Sequence, residues 1–255
     1  MASFYITLGE RIILYFYGNE RKNKSFIEKW KIIFIKPSHC PNCKKVLNPI
    51  ELIPFFGYFF LGGKCKNCNT KLGIIYPITE LFFPLLFAFA FIFTKNFSFS
   101  LIFIIFIGHV FVSMITDLNK YILDFENLFF ILIFGSLSNY LLTDKFFELD
   151  SIFVFIAFLL FYGIIYLIKP DFMGLGDVIF APVFSFIIGH PWWIFFLNTS
   201  YTLALLGTYV FRDREKKFLK QKIPMGFYFG LSLIFSMMVK ILPNNFFGDL
   251  DLFGF

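Results

Sequence analysis

The sequence predicts an all-α polytopic membrane protein of about eight transmembrane helices, the first a partial one, with a small cytoplasmic zinc-binding loop domain built on four cysteines. Three observations predict it. Hydrophobic residues make up 58% of the 255, and mean hydropathy is +0.74, more apolar surface than a soluble domain of this size can bury. The apolar residues fall into segments near the ~20 residues that a spanning helix needs. The charges collect between those segments, and all four cysteines share one intervening stretch. The 44 phenylalanines fit a base-composition bias toward Phe, Ile, Lys and Asn codons. The net charge of +6 does not point to nucleic acid, because the basic residues are spread over the loops. No cleaved secretory signal is expected, since neither its charged start nor its small-residue cleavage site is visible.

In chain order, residues 1–17 form a partial first span, interrupted by Glu10 and Arg11. Residues 18–75 form the polar loop domain, and residues 76–255 the remaining membrane domain. The spans of that domain are Tyr76–Phe93, Phe99–Ile115, Asn127–Leu142, Ile152–Ile168, Val178–Ile188, Trp193–Phe211 and Ile223–Ile241. The Val178 segment is short and stops at Gly189-His190-Pro191. Trp192 and Trp193 read as an interfacial aromatic belt at the outer boundary.

Charge orients the chain. Residues 18–75 hold 11 Lys or Arg against Glu20, Glu28 and Glu51, a net of +8, and residues 212–222 add six basic residues against Asp213 and Glu215. Alternating through the spans puts both loops on one side, and the opposite loops hold only Lys95 and Lys145. The positive-inside rule makes the basic side cytoplasmic. On that face Asp117 closes one span and Asp177 opens another, as an N-cap preceded by Gly174 and Gly176. Ionised carboxylates are costly at a bilayer edge, and a pair sharing a proton can polarise water and cleave an amide bond. Each aspartate taken alone is also compatible with a helix cap or a solvated loop. His109, inside a span, reads as a neutral histidine bonded to a neighbouring helix.

The cysteines form two knuckles, Cys40-Pro-Asn-Cys43 and Cys65-Lys-Asn-Cys68, with residues 44–64 between them. That spacing fits a tetrahedral zinc site; four thiolates leave the metal no open position, so the zinc is structural. Disulfides are the competing reading, disfavoured in a reducing compartment. His39 is a neighbour of the site and not a fifth ligand.

Several stretches together resemble a known family. Pro37-Ser-His-Cys-Pro-Asn-Cys43, Glu51-Leu-Ile-Pro54, Gly63-Lys-Cys-Lys-Asn-Cys68 and Tyr76-Pro-Ile-Thr-Glu80-Leu81 resemble the cytoplasmic domain of bacterial type IV prepilin peptidases. Asp117-Leu-Asn-Lys-Tyr-Ile-Leu123 is similar to the surroundings of that family's first catalytic aspartate, and Met173-Gly-Leu-Gly-Asp177-Val178 to its Gly-x-Gly-Asp motif. Lys222-Ile-Pro-Met-Gly226 resembles its Ile-Pro-Phe-Gly signature. The matches keep the family's order from about residue 37 to residue 230.

The resemblance implies an aspartic endopeptidase of the cytoplasmic (inner) membrane. Such an enzyme removes the basic leader of prepilins or pseudopilins after a glycine, at the cytoplasmic face. In many members it then methylates the new N-terminus with S-adenosylmethionine. Carried over, Asp117 and Asp177 are catalytic, and Cys40, Cys43, Cys65 and Cys68 hold zinc. Apart from the resemblance, Gly174 and Gly176 would let the substrate backbone approach, and Glu80, Asp124 or Asp171 at the membrane edge are either local contacts for the basic leader or solvated interfacial charges. The implied partners are prepilins or pseudopilins and the lipid bilayer, with no nucleic acid.

Three departures stand out. Asp124-Phe125 occupies the place of the family's Pro-Asp or Pro-Asn, which makes Asp124 a substitute candidate for Asp117; Ile179 replaces a common lysine; and the N-terminus resembles only the cytoplasmic end of the first helix. The alternatives are another Gly-x-Gly-Asp protease, of the presenilin or archaeal preflagellin kind, and a non-catalytic membrane scaffold with a zinc knuckle. The cysteine loop argues against the first. Dispensable aspartates would favour the second.

Overall fold

The computed structural model describes residues 2–18, 25–40, 42–48, 51, 53, 56–145, 149–170, 173–211 and 222–242. The basic stretches 19–24 and 212–221, together with Asp171, lie outside the described residues. Among the described residues the helices are α1 (Ala2–Ile12), α2 (Phe26–Ile35), α3 (Phe56–Phe60), α4 (Ile75–Thr94), α5 (Phe97–Lys120), α6 (Phe125–Thr143), α7 (Leu149–Ile168), α8 (Leu175–Ile188), α9 (Trp192–Phe211) and α10 (Met225–Ile241). No strand occurs among them; the only extended pairing is two isolated bridges. Five helices (α4, α5, α6, α7 and α9) are long and apolar enough to cross a membrane, and α8 and α10 are shorter apolar helices. At 14 residues, α8 is about 21 Å long, well short of the ~30 Å hydrocarbon core.

The chain divides into two compact units, Met1–Ala88 and Phe89–Phe255, with the boundary inside α4. In the first unit, α1 runs on through a π-helical turn, Ile13–Tyr17. The two charges that interrupt this apolar stretch have partners. Arg11 donates to the backbone oxygens of Ile33 (2.5 Å) and Pro37 (3.4 Å) at the end of α2, where a helix favours a cation, and Glu10 accepts from the Tyr76 hydroxyl (3.4 Å). Ser25 and Glu28 form a capping box that starts α2.

In the second unit α5 is the central helix: 67% of its apolar stretch is buried, against 11% for α7 at the edge. It packs on α6 and α10, while α8 packs on α6, α7, α9 and α10. The interior is aromatic. Phe125, Phe180, Phe184, Phe196 and Phe229 follow one another at centroid separations of 5.8–6.2 Å, linking α6, α8, α9 and α10. This packing brings the C-terminal end of α5 and the N-terminal ends of α8 and α10 together.

Candidate active site

Asp117 lies in the last turn of α5, which continues past it to Lys120. Tyr121 closes the helix in the left-handed region (φ 54°), its N–H donating to the Asp117 carbonyl at 2.7 Å. The chain can then double back into α6. The Asp117 side chain is buried, and its Oδ2 accepts from the Phe227 N–H at 2.9 Å, with the Gly226 N–H close enough to favour the charged form. These are first-turn amides of α10, which have no acceptor inside their own helix and carry the positive end of its dipole. A negative charge on Asp117 is therefore met by one hydrogen bond and a second nearby N–H.

Asp177 sits in the first turn of α8 and not at its N-cap, which is Gly174. The sequence reading of Asp177 as the cap is corrected on this point: the Asp177 N–H donates to the Gly174 carbonyl, and the carboxylate lies near the Gly174 N–H. The Asp117 charge acts on Asp177.

Leu123 separates the two halves. A Cβ at Gly176 would lie 2.9 Å from Leu123 Cβ, and one at Gly226 would lie 3.0 Å from Leu123 Cγ and 3.1 Å from Asp117 Oδ2. Neither position accepts a side chain without displacement. The two glycines of the Gly-x-Gly-Asp motif thus differ. The missing side chain of Gly176 is used by Leu123, whereas a Cβ at exposed Gly174 would meet only the Asp177 carboxylate (3.7 Å) and the Gly176 nitrogen (4.0 Å).

The other candidates fall in different places. Asp124, expected beside the substrate, is fully buried: its Oδ1 accepts from the hydroxyls of Ser113 (2.8 Å) and Thr116 (3.1 Å). Glu80 is half-buried in α4 within the first unit. His109 engages Asn127 of α6, with Nδ1 2.7 Å from its Oδ1, in keeping with a histidine bonded to a neighbouring helix.

Sequence reasoning missed four groups near the aspartates. The amides of Gly226 and Phe227 are backbone groups; the Lys222–Gly226 signature marks the place but not the interaction. Tyr162 of α7 and Tyr201 of α9 are hydrogen-bonded through their hydroxyls, and both lie within electrostatic reach of Asp177. Nothing distinguishes them in the sequence from the surrounding aromatic residues, except that Tyr162 is buried in a helix that is otherwise mostly exposed.

The four cysteines come together, with all Sγ atoms within 4.8 Å of one another. Cys40 and Cys68 are 3.7 Å apart at sulfur, and Cys43 and Cys65 are 3.8 Å apart. Four thiolates held tetrahedrally at ~2.3 Å from zinc would be about 3.8 Å apart, so two of the six separations match that ion and the rest, within 4.8 Å, are close to it. The knuckles repeat one geometry. Each turn ends in a left-handed residue, Lys44 (φ 58°) or Asn69 (φ 55°), and is framed by a bridge, His39 with Val46 or Lys64 with Lys71. The Lys45 amide holds the Cys43 thiol below its ordinary range, and the Thr70 hydroxyl and amide push Cys68 down to about 6. Thr70 Oγ1 accepts from Asn42 Nδ2 at 2.8 Å and lies 3.2 Å from Cys68 Sγ, which ties the knuckles together. His39 turns away, its Nδ1 3.3 Å from the Pro37 carbonyl.

Comparison with known proteins places the chain. Residues 1–94 match the bacterial Peptidase A24 N-terminal domain, and residues 104–209 match the type IV leader peptidase family. Over 197 residues the chain is 31% identical to a prepilin leader peptidase/N-methyltransferase of Bacillus subtilis (strain 168), covering 74% of this chain and 70% of that protein. The chain belongs to the type IV leader peptidase family. A Legionella pneumophila relative of the same name is 28% identical over 233 residues, 87% of this chain and 77% of that protein. A Pseudomonas aeruginosa relative, also of that name, is 46% identical, but over 44 residues only, 17% of this chain and 15% of its own length. No solved structure matches. Family membership and the run of apolar helices identify a multi-pass peptidase of the inner membrane.

Proposed function

We propose that this leader peptidase cleaves the leader from type IV prepilins or pseudopilins at the cytoplasmic face, with Asp117 and Asp177 as the catalytic pair. The observation that supports the reading is that the two carboxylates, at the ends of α5 and α8, lie within electrostatic reach of each other, with the first-turn Phe227 amide of α10 bonded to Asp117. The basic loops support the cytoplasmic orientation.

In this mechanism the prepilin's apolar segment lies in the bilayer, and its basic leader stays in the cytoplasm. The scissile peptide, on the carboxyl side of a glycine, enters over Gly174, where the backbone is open. Asp117, whose negative charge is met by one hydrogen bond and a second nearby N–H, is the base: it takes a proton from water as the oxygen attacks the carbonyl carbon. Asp177, with one amide nearby, is the acid and gives its proton to the carbonyl oxygen. When the C–N bond breaks, the leaving amine takes the proton held by Asp117. The carbonyl re-forms and returns its proton to Asp177. The products are a leader ending in a carboxylate and a pilin with a free amine, and the pair is reset.

Zinc, held by Cys40, Cys43, Cys65 and Cys68, supplies a cross-link to the loop domain at residues 18–75 and takes no part in hydrolysis. The relatives' names add N-methylation, and we attach it to this reading with S-adenosylmethionine as donor. Among the described residues there is no strand and glycine-rich turn of the kind that usually cradles that nucleotide. The N-terminal mass of processed pilin tests this part, since an unmodified residue removes it.

The decisive test is conversion of prepilin in a gel-shift assay by Asp117→Asn and Asp177→Asn enzymes. Each should lose at least ~10²-fold in rate, the contribution of a positioned acid or base. Near-normal conversion by either variant sinks the mechanism and favours the scaffold reading.

A further inference from the structure

We infer that Asp124 is a positioning residue: as an uncharged hydrogen-bond acceptor, it anchors the α5–α6 turn so that Leu123 holds Gly176 and Gly226 at their distance across the dyad. The inference rests on the reading of Asp117 and Asp177 as the catalytic pair. A continuous network leads to Asp124. His109 and Asn127 are paired through Nδ1 and Oδ1 at 2.7 Å, and Asn127 Nδ2 donates to the His109 carbonyl (2.7 Å) and to Ser113 Oγ (3.1 Å). Having accepted from Asn127, Ser113 spends its own hydrogen on Asp124 Oδ1 at 2.8 Å. Thr116, beside Asp117 in sequence, reaches the same oxygen at 3.1 Å, sharing its hydrogen with the Ser113 carbonyl at 2.9 Å. The network bolts the start of α6 to the last three turns of α5.

Asp124 Oδ2 is buried and has no hydrogen-bond partner. A charged oxygen left in that state is far costlier than a neutral one, so the carboxyl is held neutral while Oδ1 does the anchoring. Burial pushes the carboxyl up to about 7, in agreement with that assignment. What the anchor fixes is its neighbour. Leu123 is buried, and the lines of approach of both glycines run into its side chain: Gly176 precedes Asp177, and Gly226 has its N–H near Asp117. A turn that slips moves both halves of the dyad at once. Asp124 touches neither water nor substrate in this role, because none of it is exposed.

The test compares Asp124→Asn, Asp124→Ala, Leu123→Ala and Asp117→Asn in the full-length enzyme, measuring kcat and KM separately on a prepilin substrate. Asparagine keeps the acceptor oxygen and the shape, so Asp124→Asn should retain roughly a third or more of the wild-type kcat. Asp124→Ala and Leu123→Ala should each lose about tenfold or more in kcat with KM within about twofold, the effect of misplacing catalytic groups and not of losing substrate contacts. If Asp124→Asn is as inactive as Asp117→Asn, Asp124 handles a proton itself and the inference is overturned. Full kcat in Asp124→Ala overturns it too. Should Asp124→Ala fail to accumulate, Leu123→Ala decides, since it removes the wedge and leaves the network whole. Activity surviving in Asp117→Asn would instead strike at the peptidase mechanism, a separate failure.

Discussion

An alanine at position 226 would put a methyl group 3.1 Å from Asp117 Oδ2 and 3.0 Å from Leu123 Cγ, with Leu123 Cδ2 nearer still. All of these separations are inside the ~3.5–4.0 Å of ordinary carbon contacts, so about 1 Å or more of movement is required. Leu123 is itself wedged against Gly176, and the lighter response is for the start of α10 to draw back from Asp117. The Phe227 amide, 2.9 Å from Oδ2, then passes beyond ~3.5 Å and the hydrogen bond is lost. A hydrogen bond to a charged group contributes ~1.5–3 kcal/mol, and ~1.4 kcal/mol is tenfold in rate. Gly226→Ala should therefore lower kcat about 10- to 100-fold. Purified enzyme in detergent, assayed by prepilin gel shift with zinc content and melting temperature as controls, measures it. Adding Leu123→Ala gives the methyl group room, so the loss in the double variant should be smaller than the product of the two single losses. A Gly226→Ala enzyme with kcat within about twofold of wild type refutes the argument that the Phe227 amide holds Asp117.

Cys43→Ser should drop bound zinc from about one per chain toward none and leave residues 36–72 open to proteolysis, read by metal analysis and limited digestion. Proteolytic resistance without metal would refute a structural zinc. Asp124 adds a pH dependence: its folded-state value, near 7, lies above the ordinary 3.8, so the folded protein holds this proton more tightly. Its contribution is full below about pH 4 and is lost as pH rises through 7, with a slope of at most ~1.4 kcal/mol per unit, Glu126 being the neighbouring charge that adds to the effect. Thermal melts from pH 5 to 8 should show that decline in the wild type relative to Asp124→Asn; parallel curves would refute it. Lys240 donates to Asn139 Oδ1 (2.7 Å) and to the Ile188 carbonyl (2.6 Å), joining α10, α6 and the end of α8. Lys240→Met should cost ~1.5–3 kcal/mol of stability while leaving kcat unchanged, because its contacts are at the other end of α10 from Gly226. A normal melting temperature would show that these bonds contribute little.

Much was legible in the sequence because the relevant signals are local. The seven segments from Tyr76 onward became α4 to α10 with small shifts at their ends, since continuous apolar stretches near the length of a bilayer have few alternatives. The cysteine cluster was legible for the same reason: two residues between ligands set the turn, and the repeated knuckle geometry follows. Asp177 was misplaced as an N-cap because Asp and Gly both favour that position, and only the backbone shows that Gly174 takes it.

What the sequence by itself determined, then, is the class of molecule, its helices, its four-thiolate cluster and the two aspartates near helix ends. The tertiary structure decided which groups meet. Asp117 is joined by an amide 110 residues further along the chain, Leu123 occupies the space left by two distant glycines, and Asp124 is withdrawn into a buried network. These are contacts between helices, made by backbone N–H groups and by the absence of side chains. Neither has a signature in residue type or spacing.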